Sequence, residues 1–483
     1  MHVRPFAVQI LASRNSALRS FQTGCVLLDI PAELSPPVPV PRAEALGPLS
    51  LLRVLANNPL EAWTSAHFEQ PIVMGGLSVG RVAVISDPGA IRRVLMVNAD
   101  NYRKDWLQRR ILSAALANGL LTVEADQWKL QRRALAPLFN LRTVLGFTTA
   151  MVEAADAAVE RLSRRDGQVV DIADEATRIT VDVLERTIFS DGFGRNPDDV
   201  RAAMTAYFDT VGRIDPLDIL GVPSIVPRPS RWKLKPTLKF FEETIDEIIA
   251  ARQRRLTADP TSVPRDILTL LLEARDPDSG KTLSDVEIRA NILTFIAAGQ
   301  ETTANCITWT LYLLSQSREW RERVQAEADS ESGSLDGLAD RLVVTRAVID
   351  ETNRLYPPIT AISRTALGYD ELAGESIKPG TMIVIAPYVL HRHRALWTRP
   401  NAFEPNRFFG KARESIDRFA YLPFGVGPRI CIGATFAIQE ASIMTATIMR
   451  HFTLELVSGS TPWPVQKVTL RPKGGLPMIV RRR

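Results

Sequence analysis

The chain has 483 residues, 45% hydrophobic and 23% charged, with mean hydropathy near zero, the composition of a globular protein long enough for a large core. Its net charge of +5 is spread along the chain with no basic stripe interleaved with aromatics, which argues against nucleic-acid binding. Cys25, Cys306 and Cys431 lack the close pairing of zinc or iron–sulfur sites and point to a reducing compartment, and no run of about 20 apolar residues predicts a membrane span.

In chain order, residues 1–28 carry Arg4, Arg14 and Arg19 with no acidic residue before Asp29. That composition fits a transit peptide, an overlong start or a frayed terminus. Pro31 to Pro41 is proline-rich and reads as an extended linker. Residues 1–45 are therefore expected to be an N-terminal extension and 46–483 one folded domain. Residues 71–90 read as strands, with turn signals at Gly75-Gly76 and Asp87-Pro88-Gly89. From 90 to 345 the pattern is mostly helical, interrupted at Gly119, Asp166-Gly167, Asp191-Gly192, the proline-rich 216–236 stretch and Pro264.

The longest predicted helix runs over 284–315, and Ser284 with Glu287 forms a capping box at its start. Its middle reads Ala298-Gly299-Gln300-Glu301-Thr302-Thr303. Ala298 and Gly299 leave room for something flat or small to approach, while Glu301 and Thr302 offer an acid and a hydroxyl side by side. A kinked core helix is the plainer alternative. Glu351 and Arg354 lie three apart on a helix ending at Pro357-Pro358, so both share one face where a charge-assisted pair forms. Taken alone, this spacing is weak, because Glu175–Arg178 and Glu404–Arg407 match it too. Residues 377–390 read as strand, 395–430 as a long irregular segment of the kind that carries function, 434–450 as helix, and 452–481 as short strands.

The irregular segment ends in Phe424-Gly-Val-Gly-Pro-Arg429-Ile-Cys431-Ile-Gly433. Its glycines permit tight turns against a planar group. Cys431 stands just before a helix, whose N-terminus is expected to lower the thiol pKa and hold a thiolate. For a lone cysteine, a buried side chain in a glycine-rich turn is the ordinary reading.

The stretch matches Phe-x-x-Gly-x-Arg-x-Cys-x-Gly at every defined position and resembles the haem-binding signature of the cytochromes P450. The resemblance runs from about residue 70 to the C-terminus. It implies a single, mostly α domain with minor β (an α+β fold) binding haem b. Cys431 would be the axial iron ligand, with electron-rich thiolate favouring O–O cleavage. Phe424 would pack near the sulfur, and Arg429 would pair with a haem propionate. The 298–303 segment is similar to the family's oxygen-binding groove, which gives Glu301 and Thr302 proton-handling roles and places Ala298 against the cofactor. Trp128 and Arg132 match the family's Trp-x-x-x-Arg helix, where both contact a propionate, and Arg364 stands where another propionate-binding arginine belongs. Phe403-Glu404-Pro405-Asn406-Arg407-Phe408 matches the segment that supplies a third partner, so Glu351, Arg354 and Arg407 would form a structural triad locking the cysteine loop.

The reaction implied is monooxygenation of an organic, apolar small molecule, with electrons from a separate ferredoxin or flavodoxin and its reductase, in a soluble cytoplasmic protein. By family position the substrate would meet residues near 103–122, 204–230, 294–302, 359–362 and 474–477, among them Ile359, Ala361, Ile362 and Leu476. Two other classes remain: a haem-thiolate isomerase or peroxygenase needing no external electrons, and a non-catalytic haem-binding protein. The Glu301–Thr302 pair argues against both.

Overall fold

Turn chemistry and capping set the frame of a helix-rich fold. The computed structural model describes residues 34–483 except 78, 79, 117, 193, 195–202, 204–221 and 223–228. Residues 1–28, Cys25 and nearly all of the expected substrate-facing stretch 204–230 lie outside the described residues. Helices of ten residues or more are numbered here: α1 Pro48–Asn57, α2 Trp106–Leu116, α3 Ala125–Leu135, α4 Thr148–Ser163, α5 Ile172–Leu184, α6 Pro229–Ala258, α7 Asp285–Gln316, α8 Arg318–Ser330, α9 Val343–Leu355 and α10 Ala434–His451.

The helix α7 is the axle. Ser284 caps it and Glu287 returns the bond to the Ser284 amide, the expected capping box. Most of its residues from Ile288 to Leu314 are buried, so it is enclosed nearly all round, with polar side chains such as Asn291, Glu301 and Asn305 buried among the apolar ones. It packs against α5, α9 and α10, and α10 in turn lies on α4 and α8. Trp309 of α7 stacks on Tyr356 at 3.9 Å between ring centres, fixing α7 to the end of α9.

The β portion is small. A five-stranded sheet has the order β1 (Ile72–Leu77), β2 (Gly80–Ile85), β8 (Met382–Ile385), β5 (Ile362–Ala366), β3 (Tyr102–Lys104). Among the described strands only β2 and β8 pair in parallel. A three-stranded sheet joins β4 (Val169–Asp171), β12 (Pro477–Arg482) and β9 (Phe452–Leu456). Two-stranded pairs join β6 (Asp370–Leu372) with β7 (Glu375–Ile377) and β10 (Pro464–Gln466) with β11 (Leu470–Pro472).

Several expectations need correction. Gly75 and Gly76 are not a turn; they pair with Val82 and Arg81 inside β1. The strand reading over 71–90 and that over 377–390 both overrun, since short helices begin at Pro88 and Pro387. The 90–345 span contains β3 and β4, whose three residues are too few to show a period. The proline-rich 216–236 stretch is not a break to its end: α6 starts at Pro229 and carries Pro236 inside it. The segment read as a linker is tied to the fold from Leu34 on. The Leu34 carbonyl accepts from the Phe403 amide, and the Pro37 carbonyl accepts from Tyr356 Oη at 2.8 Å.

Candidate active site

The cysteine loop is held by backbone bonds before any side chain is considered. The Cys431 amide donates to the Phe424 carbonyl at 2.9 Å, closing the loop on itself. Phe424 is half-buried against the main core. Gly427 has φ +78°, and a Cβ there would stand 2.0 Å from the Leu95 carbonyl oxygen, so only glycine lets the loop pass. Gly433 caps α10 and its amide donates to the Cys431 sulfur. Cys431 is enclosed by protein on nearly every side yet presents open surface, as a side chain on the wall of an internal cavity does.

The charge of that thiol corrects one expectation. Burial pushes its pKa up, opposed by the Gly433 amide and the Arg132 charge. The helix terminus alone does not overcome desolvation, so a cation at the sulfur is what would stabilise the thiolate. Among the described residues the other cysteine, Cys306, is buried, with burial pushing it up to about 12. Burial lowers the Arg132 pKa and the nearby Cys431 raises it. Arg132 is thus electrostatically coupled to the sulfur itself.

Behind the loop lies a dense ionic network. Arg354, fully buried, donates Nε and Nη2 to the two Glu351 oxygens at 2.7 and 2.8 Å. Its remaining N–H groups reach the carbonyls of His391, Pro400 and Ala402. Glu351 also accepts from the Glu404 amide at 2.7 Å and faces Arg407 Nε at 3.6 Å. Glu404 and Arg407, which share the Glu-x-x-Arg spacing, join the same network at 3.3 Å. Glu175 instead pairs with Arg161. His391, unremarked in the sequence, accepts from the Leu422 amide at 2.8 Å, tying the entrance of the cysteine loop to this scaffold. Burial and the Arg354 and Arg392 charges push His391 down to about 3.

Facing the open side, Ala298 is exposed in the middle of the otherwise buried α7. Gly299 points elsewhere: a Cβ on it would touch Leu184 of α5 at 3.0 Å, so its smallness serves helix packing rather than the groove. Thr302 Oγ donates to the Ala298 carbonyl at 2.6 Å, leaving the hydroxyl oxygen as acceptor. Glu301 is buried, with Arg471 of β11 at 3.9 Å. Ile359 is 39% exposed, whereas Leu476 is fully buried in the core and has no open surface to offer.

A third group is the most telling. Lys104 on β3 and Arg364 on β5 stand directly opposite in the sheet register, and both are buried. Like charges so placed repel. The Lys104 pKa falls to about 7, from burial first and then the charge of Arg429. That of Arg364 falls to about 10 for the same reasons in the same order. Lys104 Nζ donates to the carbonyls of Leu120 and Val123 at 3.0 Å. Arg429 lies over the Trp128 ring at 4.3 Å and pairs with Glu124 at 2.5 Å. Among the described residues, Arg429 Nη1 is buried without a hydrogen-bond partner. Three crowded cations beside two carboxylates, Glu124 and Asp105, form a cage suited to an additional anion. The sequence pointed to Trp128, Arg364 and Arg429. Lys104 and Glu124 carried no motif, although Glu124 stands one helical turn before Trp128.

Comparison with known proteins adds a family to this geometry. The family model described as Cytochrome P450 matches residues 36–478. The chain is 31% identical over 412 residues to cyclooctat-9-en-7-ol 5-monooxygenase of Streptomyces melanosporofaciens, covering 84% of this chain and 87% of that one. It is 29% identical over 433 residues to cytokinin hydroxylase of Arabidopsis thaliana, covering 87% and 82%. The crystal structure of the cytochrome P450DA heme domain superposes with a TM-score of 0.80 at 26% identity, covering 93% of this chain and 98% of that one.

Proposed function

The chain belongs to the cytochrome P450 family and is a haem-thiolate monooxygenase, and we propose that Cys431 is its iron ligand, with the cation cage of Lys104, Arg364, Arg429 and Trp128 holding the haem propionates. The observation that carries the cage is the buried pairing of like charges across β3 and β5, which two propionates would neutralise. Bound haem b supplies the activation of dioxygen.

The chain's own residues would then divide the remaining work. The Phe424 carbonyl and the Gly433 amide fix the Cys431 backbone and sulfur. Arg132 adds positive charge near that sulfur and favours its thiolate. Glu351, Arg354 and Arg407 hold the 399–404 segment, and His391 holds Leu422, so the loop cannot drift. Ala298 leaves α7 open to the cofactor face. Thr302, its own proton engaged by the Ala298 carbonyl, offers its hydroxyl oxygen as a hydrogen-bond acceptor at the open face, and Glu301 next to it is the acid that relays protons from the Arg471 side. In the overall balance a substrate C–H, one O2, two electrons and two protons become an alcohol and one water.

The electrons come from a separate redox protein. We assign it to the ferredoxin or flavodoxin class, whose acidic surfaces suit a chain of net charge +5 and pI about 9.2. Among the described residues no helix is long and apolar enough to cross a membrane. The substrate is proposed to be an apolar small molecule meeting Ile359, Ala361 and Ile362, and cyclooctat-9-en-7-ol, after which the Streptomyces relative is named, is the first probe. The test is turnover under isotopically labelled dioxygen with a ferredoxin system. One labelled oxygen in the product, strictly dependent on the electron donor, supports the reading. Conversion without donor or dioxygen contradicts it.

A further inference from the structure

Glu124 sits among the cage cations and no role has been given to it. It is the last residue before α3, with extended backbone. One carboxylate oxygen accepts from Arg429 Nη2 at 2.5 Å. The other accepts from the Lys104 amide at 3.2 Å, so the same side chain ties strand β3 to the cysteine loop. Its charge acts on all three cations: it raises the pKa of both Lys104 and Arg364 and pairs directly with Arg429. Asp105, the second carboxylate, is otherwise engaged. It accepts from Ser363 Oγ and from the amides of Leu107 and Gln108.

The Arg429 guanidinium is therefore held on two sides, by Glu124 at Nη2 and by the Trp128 ring against its face. What stays unsatisfied among the described residues is Nη1. A planar fork pinned in this way presents its remaining N–H groups in one direction only, which lowers the ordering cost of binding an anion.

We propose that Glu124 is a positioning residue of the propionate cage: it orients Arg429 toward the haem edge and places a fixed negative charge beside the cofactor. This rests on the propionate reading above. Two consequences follow from elementary electrostatics. A fixed anion near the haem favours the ferric, more positive state, so removing it shifts the reduction potential to more positive values. A loosened Arg429 holds a propionate less well, so haem leaves faster.

The test uses the full-length holoprotein, with spectroelectrochemical titration and haem transfer to excess apomyoglobin as readouts. Glu124→Gln keeps the size of the side chain and removes its charge. The expected result is a positive shift in potential and haem loss faster by severalfold, with Glu124→Asp returning the potential toward the parent value. An unchanged potential in Glu124→Gln overturns the inference, and so does a fall in melting temperature with neither readout moved, since that is what a mere helix cap would give. Should Glu124→Gln fail to load haem, Glu124→Asp decides alone: faster haem loss at the parent potential supports the role, and parent behaviour in both overturns it. Arg429→Gln is run in parallel. If it retains haem as the parent does, the propionate reading itself fails; if it sheds haem while Glu124→Gln behaves as the parent, only the Glu124 assignment fails.

Discussion

The two sides of the cofactor site are built on opposite plans. Behind Cys431, every polar group of Arg354 and Glu351 is engaged, several partners come from distant segments, and the pair is fully buried. In front, the groove of α7 carries its chemistry on Glu301 and Thr302, with Thr302 bonded, among the described residues, to its own helix. The first arrangement is redundant and rigid; the second places its chemistry on two single side chains. Damage behind the cysteine should cost the fold, and damage in the groove should cost the reaction while leaving the fold intact.

The largest effect is expected from Glu351→Ala. It leaves the fully buried Arg354 charge without its carboxylate, and breaking a buried pair costs roughly 3–5 kcal/mol. The purified protein should hold little or no haem, which a haem-to-protein ratio measures. Gly427→Ala comes next. The clash with the Leu95 carbonyl and the positive φ should shift the loop at a cost of about 2–4 kcal/mol, seen as a lower melting temperature and reduced haem content. Thr302→Ala should do the reverse. Haem content and melting stay at parent values while product formed per electron pair consumed falls by about tenfold or more. A Thr302→Ala protein that loses haem would erase the contrast between the two sides.

The pH profile sharpens the same contrast. His391 is neutral in the fold and held down to about 3, against 6.5 when unfolded. Between those values the unfolded chain binds the extra proton, so stability is full above about 6.5 and falls as the pH drops toward 3. Because His391 anchors Leu422, the cysteine side should loosen first in acid. Melting followed from pH 7 to pH 4 checks this, and His391→Gln should flatten the dependence. The smallest effect concerns Ala125, which has φ +50° at the start of α3. Glycine relieves that conformation but loses more entropy on folding, so Ala125→Gly should change stability by no more than about 1 kcal/mol, in the stabilising direction.

How far the sequence reaches follows the same division. The ten-residue cysteine segment, the capping box of α7 and the Glu351–Arg354 spacing are local patterns, and local patterns survive in one dimension. The pairing of Lys104 with Arg364 is a matter of sheet register between remote segments, and no periodicity records it. Three-residue strands such as β3 are too short to announce themselves. Gly75 and Gly76 read as a turn because glycine is a turn former, but hairpin pairing overrode that preference. Gly299 reads as part of the groove because, like Ala298, it carries almost no side chain; only the packing of α5 shows that its face lies elsewhere. The thiol pKa is raised rather than lowered because burial outweighs the Gly433 amide bond and the Arg132 charge, a balance only three dimensions reveal.

The central claim is that Cys431 ligates the haem iron as a thiolate. The carbon monoxide difference spectrum of the reduced, folded protein tests it most directly. The account predicts the long-wavelength band that thiolate ligation produces, and its disappearance in Cys431→His with haem still bound. A shorter-wavelength band in the folded parent protein, or a long-wavelength band that persists in Cys431→His, would contradict it.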